Sequence, residues 1–253
     1  MKRQISIIIP TLNEAEHIEK LLNHLLKNAS KENIADIIVV DGGSTDGSEN
    51  IVRFFIEKQK NHNTDPETSS GCSRHIIKLM ASPKGRAKQM NLGAKNAIGN
   101  ILYFLHADSL PPKNFDKHII EQVKKNNNAG CFIMKFNSTH WWLKLASQLT
   151  RLPFRSCRGG DQSLFITKSL FNAIEGFNED FKIYEDNHLI AKLYARKQFV
   201  VIKKWLTTSA RHYKTHGVWR LQFHYWTIHL KKRLGASPEK LNRYYLKYVS
   251  VKK

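Results

Sequence analysis

Short apolar runs alternate with polar turns and helix-period segments through the first half of the chain. Residues 5–14 read ISIIIPTLNE and residues 37–47 read IIVVDGGSTDG. Each is a β-branched run that halts at turn residues and passes into a helical pattern, the form of a buried parallel strand covered on both faces. Residues 75–80 (HIIKLM) and 101–105 (ILYFL) repeat the form. Four β-α alternations therefore occupy roughly residues 4–126 and predict an α/β fold: a mostly parallel central sheet with helices on both faces. Thr11-Leu12-Asn13-Glu14 reads as a capping box for the first helix, and Ser44-Thr45-Asp46 as the cap of the second. Residues 59–74 are polar and aperiodic, which predicts a surface loop in the second crossover.

The second half is less regular. Beyond Pro111 and Pro112 a basic helix leads to a strand over 129–136. Residues 141–149 are apolar at helical spacing, and an Arg-rich turn spans 151–158. Strands at 163–167 and 199–203 flank a helix at 185–195. No repeat and no long Pro/Gly linker divides the chain before residue 218, where it turns basic and aromatic. The predicted organisation is a domain over 1–217 and a basic amphipathic helical tail over 218–253. In that tail Trp219, Phe223, Trp226, Leu230 and Leu234 fall on one helical face, flanked by Arg220, Lys231, Lys232 and Arg233. Such a helix suits either docking on the core or an anionic membrane surface.

At 253 residues the chain can bury one sizeable core. Cys72, Cys131 and Cys157 are odd in number and widely spaced, which fits reduced thiols in the cytoplasm rather than a disulfide frame or a zinc site. A strand beginning by Ile5 leaves no space for a signal peptide, and no apolar run approaches the ~20 residues of a membrane span. The expected localisation is cytoplasmic, with the tail as the means of peripheral attachment to the inner leaflet. The net charge of +20 implies an anionic partner such as a nucleotide diphosphate, a phospholipid or a nucleic acid. No nucleic-acid-binding motif accompanies it, so a specific nucleic acid is not expected.

Ligands of open α/β sheets sit beyond the carboxyl ends of the strands. There the sequence sets Thr11, Asn13, Glu14, Asp41, Ser44, Thr45 and Asp46, groups suited to a sugar and a base. Gly85-Arg86 opens a helix, and a cation at a helix N-terminus calls for an anionic partner. The fourth run ends in His106-Ala107-Asp108-Ser109. After it come Gly159-Gly160-Asp161-Gln162, Gly176-Phe177-Asn178-Glu179 and Glu185-Asp186. In this order and spacing the chain resembles glycosyltransferase family 2, the inverting enzymes of GT-A fold. Its LHADS, GDQSLF and EGF…ED elements resemble the radical-SAM/selenodomain-associated transferases. The resemblance covers roughly residues 5–212.

That resemblance implies transfer of a sugar from a nucleotide-diphosphate donor, UDP being the usual carrier, to an acceptor hydroxyl. Thr11, Glu14 and Asp41 would contact base and ribose, and Arg86 the diphosphate. The family's DXD-type motif falls on His106-Ala107-Asp108, which leaves Asp108 as the single carboxylate for Mg2+ or Mn2+ and turns His106 toward the nucleotide or the packing. The same Asp108 can be read as a helix cap before Pro111. Asp186 is the implied base, Glu185 its neighbour at the donor or acceptor, and Asp161 the rival base on an acceptor-side loop with Gln162. Asn91 and Gly93 are assigned to helix–sheet packing, and His212 either to a late metal ligand or to the surface. The expected partners are the donor sugar nucleotide, an acceptor that can be lipid-linked, and an anionic membrane surface. Two other classes stay open: a nucleotidyltransferase, which would want a glycine- and lysine-bearing loop where TLNE stands, and a non-enzymatic basic binding module for membrane or nucleic acid.

Overall fold

The computed structural model describes residues 4–61 and 76–250; Cys72, His75, most of the 59–74 stretch and the last three residues lie outside the described part. Its elements in order are β1 (Ile5–Thr11), α1 (Ala15–Asn28), β2 (Ile34–Asp41), α2 (Ser48–Asn61), β3 (Ile77–Ala81), α3 (Arg86–Asn96), β4 (Ile101–Phe104) and β5 (Ser109–Leu110). Then follow α4 (Phe115–Lys124), β6 (Ala129–Phe136), α5 (Trp141–Leu149), β7 (Leu164–Thr167), α6 (Lys168–Ala173), α7 (Glu185–Ala195), β8 (Val200–Thr208), α8 (Arg211–His216), α9 (Val218–Arg233) and α10 (Pro238–Tyr248).

One sheet runs β3-β2-β1-β4-β7-β6-β8-β5. Strands β3, β2, β1 and β4 are mutually parallel. Strand alternation gives the sheet two apolar faces. Ile5, Ile7 and Ile9 pack with Leu21 and Leu22 of α1, Phe55 of α2 and Phe115 of α4. Ile8, Ile38 and Val40 pack instead with Met90 of α3, Phe171 of α6 and Leu189 of α7. Gly93 makes the second contact close: a Cβ there would lie 2.5 Å from Ile8 Cγ2.

The antiparallel strand β7 shapes the working edge. It pairs Phe104 with Leu164, so the start of β7 lies beside the end of β4. The loop entering β7 is thereby carried to the edge where β1, β2 and β4 terminate. Strand β8 is parallel to β6, and its last residue, Thr208, pairs with Ser109 at that same edge. It outruns the expected 199–203 because the register slips between Phe132 and Ile133, and the apolar alternation that marks a strand breaks at Lys203-Lys204.

The tail is part of the fold. Leu221 and Ile228 of α9, with Leu241 and Val249 near α10, surround Phe181 in a separate small core. The face predicted to be the apolar one is not the face that docks: α9 carries two apolar faces, and its Trp219 row points outward.

Candidate active site

The first two βα turns hold each other. Asp46 accepts from Ala15 N at 2.9 Å through Oδ2 and from Ser48 N at 3.0 Å through Oδ1, serving both helix starts. Ser48 Oγ accepts from Glu14 N at 2.8 Å, and Ser44 Oγ from Asn13 N at 2.9 Å. Burial opposes ionisation of Asp46, but the Ser48 hydroxyl and these backbone N–H groups outweigh it and hold the carboxyl below its ordinary range. The expected capping box is therefore corrected. Glu14 makes no cap, and Thr11 Oγ1 turns back to Ile9 O at 3.4 Å, because the caps arrive from the neighbouring turn.

Asp41 is buried and accepts from Gly43 N at 2.8 Å and Ser44 N at 2.9 Å, so its carboxylate shapes the turn. Both of these fall on Oδ2, and Oδ1 accepts from the Ser44 hydroxyl at 2.5 Å, so the one acceptor position left for a ligand is on Oδ1. Behind it Gln89 of α3, also buried, donates to Thr11 O at 2.7 Å and Val40 O at 2.8 Å, tying the two strand ends together.

Glu14 faces Arg211, which binds its carboxylate through both terminal nitrogens and also lies 3.5 Å from Asp108 Oδ2. Arg211 enters from α8, just past β8, and bridges the first and fourth strand ends. His212 follows it, half-turned to solvent. Burial and the charge of Arg211 lower its pKa against the pull of Asp161 and Asp108.

His106 is the centre of the second cluster. Its Nδ1 lies 3.3 Å from Asp161 Oδ1 and its Nε2 3.9 Å from Asp186 Oδ2. Burial and Arg86 oppose its charge, yet the hydrogen bond to Asp161 and the fields of both carboxylates leave its pKa raised. Asp161 is the reciprocal case: the surrounding protein disfavours its ionisation, but His106, Arg86 and His212 together hold it low. The imidazole thus joins the two acids that the sequence offered as rival bases.

Arg86 closes the other side. Its Nη1 is 3.0 Å from Glu185 Oε1 and 3.8 Å from Asp186 Oδ2. The anion that this helix N-terminus required is therefore a carboxylate of α7, and the half-exposed guanidinium still faces outward. Glu185 is 1% exposed, and its Oε2 has no hydrogen-bond partner among the described residues. Burial, reinforced by Asp186, pushes its carboxyl up against the pull of Arg86. Both acids stand in the first turn of α7, whose N-cap, Tyr184, has φ 73°, a left-handed conformation that is a genuine outlier for a bulky residue. The Tyr184 hydroxyl meets His229 Nδ1 of α9 at 3.2 Å.

Gly160 has no room for a side chain. A Cβ would fall 2.0 Å from Asp186 Oδ2 and 3.2 Å from His106 Cε1. Its neighbour Ser163 is held at φ 62°, ψ 172°, a region used almost only by glycine. Gln162 does not join the site. Its amide is buried, accepting from Arg158 Nη1 at 2.8 Å and donating to Cys157 O at 2.6 Å. Asn91, assigned to helix–sheet packing, instead exchanges hydrogen bonds with the Phe177 backbone at 2.9 and 3.0 Å. Among the described residues, no three His, Cys, Asp or Glu side chains gather as a metal cluster.

Residues 6–197 match the sequence model of Glycosyl transferase family 2. The chain belongs to that family. This family 2 chain is 29% identical over 189 residues to a Methanococcus voltae dolichyl N-acetyl-alpha-D-glucosaminyl phosphate 3-beta-D-2,3-diacetamido-2,3-dideoxy-beta-D-glucuronosyltransferase, covering 71% of this chain and 51% of that protein. It therefore spans about half the length of that relative. Among solved structures it resembles the Pyrobaculum calidifontis mannosyltransferase PcManGT in complex with GDP-Man and Mn2+, with a TM-score of 0.65, 18% identity, and coverage of 94% of this chain and 66% of that one. It also resembles Staphylococcus aureus TarS 1–349 in complex with UDP-GlcNAc, with a TM-score of 0.62, 18% identity, and coverage of 97% and 71%. At that identity the likeness establishes the GT-A fold.

Arg211, Tyr184 and Gln89 were missed by sequence reasoning. Each is an ordinary residue outside any motif.

Proposed function

We propose that the protein transfers a sugar, with inversion, from a nucleotide-diphosphate donor to an acceptor hydroxyl, with Asp186 as base. The observation that carries this reading is the junction of Asp186, His106, Asp161 and Arg86 at the carboxyl edge of the sheet. An inverting step needs a carboxylate opposite the leaving group to take the hydroxyl proton as the oxygen attacks the anomeric carbon. Asp186 suits that task because its Oδ2 lies between Arg86 Nη1, 3.8 Å away, and His106 Nε2, 3.9 Å away, which hold the carboxylate in place. Glu185, raised and with one free oxygen, suits a hydrogen bond to a sugar or acceptor hydroxyl. Thr11, Glu14 and Asp41 line the end where a nucleoside would sit, and the exposed side of Arg86 is available to the phosphates. UDP is the proposed carrier.

A divalent cation fits this site when it is shared with the diphosphate. Asp108 supplies one carboxylate, and Arg211, 3.5 Å away, holds it in place, which suits an ion that keeps water and phosphate ligands. Asp108 would hold the Mg2+ or Mn2+, which when bound supplies Lewis-acid stabilisation of the leaving diphosphate.

Two measurements test the reading. Asp186→Asn should retain UDP binding while turnover of donor falls by roughly 10²–10⁴-fold, the usual worth of a positioned base. Should Asp161→Asn abolish turnover while Asp186→Asn leaves it near normal, the two roles are exchanged. Calorimetry of UDP binding should show a dependence on Mn2+ that Asp108→Ala removes; equal affinity in EDTA overturns the metal assignment.

A further inference from the structure

The outer face of α9 carries Trp219, Phe223, Trp226 and Leu230, between 50% and 61% exposed. Single exposed apolar side chains are ordinary, but a contiguous apolar patch marks a binding surface. The patch is contiguous. The Trp142 ring lies 5.2 Å from Trp219 and 5.9 Å from Trp226, and Trp141 lies 5.7 Å from Trp219. Trp142 is pinned by a hydrogen bond to Gln222 of 3.2 Å, so helices α5 and α9 present one rigid aromatic platform. Leu145 and Leu149 extend it along α5.

Charge selects the occupant. No Asp or Glu occurs between Asn137 and Gly160, or between Asn187 and Pro238, while Lys144, Arg151, Arg220 and Arg233, in or next to the same two helices, are exposed. A second copy would bring two basic surfaces together, which costs repulsion. Nucleic acid would use the rings for stacking, but the leucines offer a base no flat face. Tryptophan and leucine on helices that also expose lysine and arginine suit the headgroup boundary of an anionic bilayer. We propose that the outer faces of α5 and α9 seat this protein on an anionic lipid surface. The opposite face of α9 packs on Phe181 and, through His229, on the N-cap of the helix bearing Glu185 and Asp186. Helix α9 therefore carries the seat on one side and touches the helix bearing the site's acids on the other.

The test is sedimentation of the full chain with vesicles of phosphatidylcholine alone, or of equal parts phosphatidylcholine and phosphatidylglycerol. Binding to the anionic vesicles at low salt is expected, weaker at high salt and weaker still on neutral vesicles. Phe223→Ser with Leu230→Ser should reduce it at least tenfold with an unchanged thermal melt, since both side chains are mostly exposed. If that variant misfolds, quenching of the native tryptophan fluorescence by brominated lipid decides instead. Failure of the native chain to bind anionic vesicles overturns the proposal. So does a dimer, or a complex with RNA, that the double variant disperses while vesicle binding is unaffected. No transfer assay enters, so either outcome leaves the catalytic reading standing.

Discussion

Replacing Gly160 by alanine probes the site with one methyl group. The new Cβ would stand 2.0 Å from Asp186 Oδ2 and 2.6 Å from its Cγ. Ordinary contact begins near 3.4 Å, so the carboxylate or the loop must yield by about 1.4 Å. His106, at 3.2 Å on the other side, blocks part of the retreat. A misplacement of about 1 Å at a reacting group can cost about 10²-fold in rate, and the overpacking itself costs roughly 1–3 kcal/mol of stability. The expected result is a fall in kcat of about 10²-fold with the KM for donor little changed, because the proposed nucleoside end lies at β1 and β2. Gly159→Ala is the internal control. Nothing lies within 4 Å of a Cβ at Gly159, and its φ of −164° is extended backbone that any residue adopts. Donor hydrolysis followed by release of UDP, with a thermal melt of each variant, supplies both numbers. Full activity in Gly160→Ala would refute the placement of Asp186 at the chemistry, and equal loss in Gly159→Ala would mean that the loop is merely intolerant of side chains.

Two further outcomes follow from the same contacts. Asp46→Ala removes the acceptor for two helix starts and should cost roughly 1–2 kcal/mol by chemical denaturation; no change would mean that water replaces both caps. The His106–Asp161 pair should make stability depend on pH. The raised pKa of His106 contributes fully below its ordinary value of about 6.5 and is lost as pH rises through the folded value. The lowered pKa of Asp161 contributes above its ordinary value of about 3.9 and is lost as pH falls through the folded one. The melting difference between the native protein and His106→Asn should therefore be largest between those two ordinary values and shrink on either side; a difference independent of pH would show that the imidazole acts by packing alone.

The donor half of the fold was legible because its signals are local. Ile5–Thr11 and Ile34–Asp41 announce buried strands by composition, and the turn residues after them announce the edge. The site was legible as a set of residues but not as a set of contacts. His106 acquires its partners through the antiparallel pairing of β4 with β7, and no spacing in the sequence reveals that pairing. Arg86 advertised the need for an anion without revealing that Glu185 supplies it. Gln162 stood beside Asp161 and was read with it, yet the short turn at Gly160–Gln162 sends the two side chains in opposite directions. In α9 the helical period was visible, but two apolar faces on one helix cannot be ranked from periodicity alone.

The interlocked caps of the first two turns have a consequence for how the chain is made. Helix α1 has no cap of its own, and its free N–H groups at Glu14 and Ala15 wait for Ser48 and Asp46. A nascent chain released only as far as α1 must therefore fray at that end until the second turn emerges. Once both turns are present each supplies caps to the other, and Gln89 of α3 clasps the two strand ends. The end of the sheet at which a nucleoside is proposed to sit thus depends on both loops together rather than on each alone. Protease nicking within β2 would be expected to erase it entirely rather than by half.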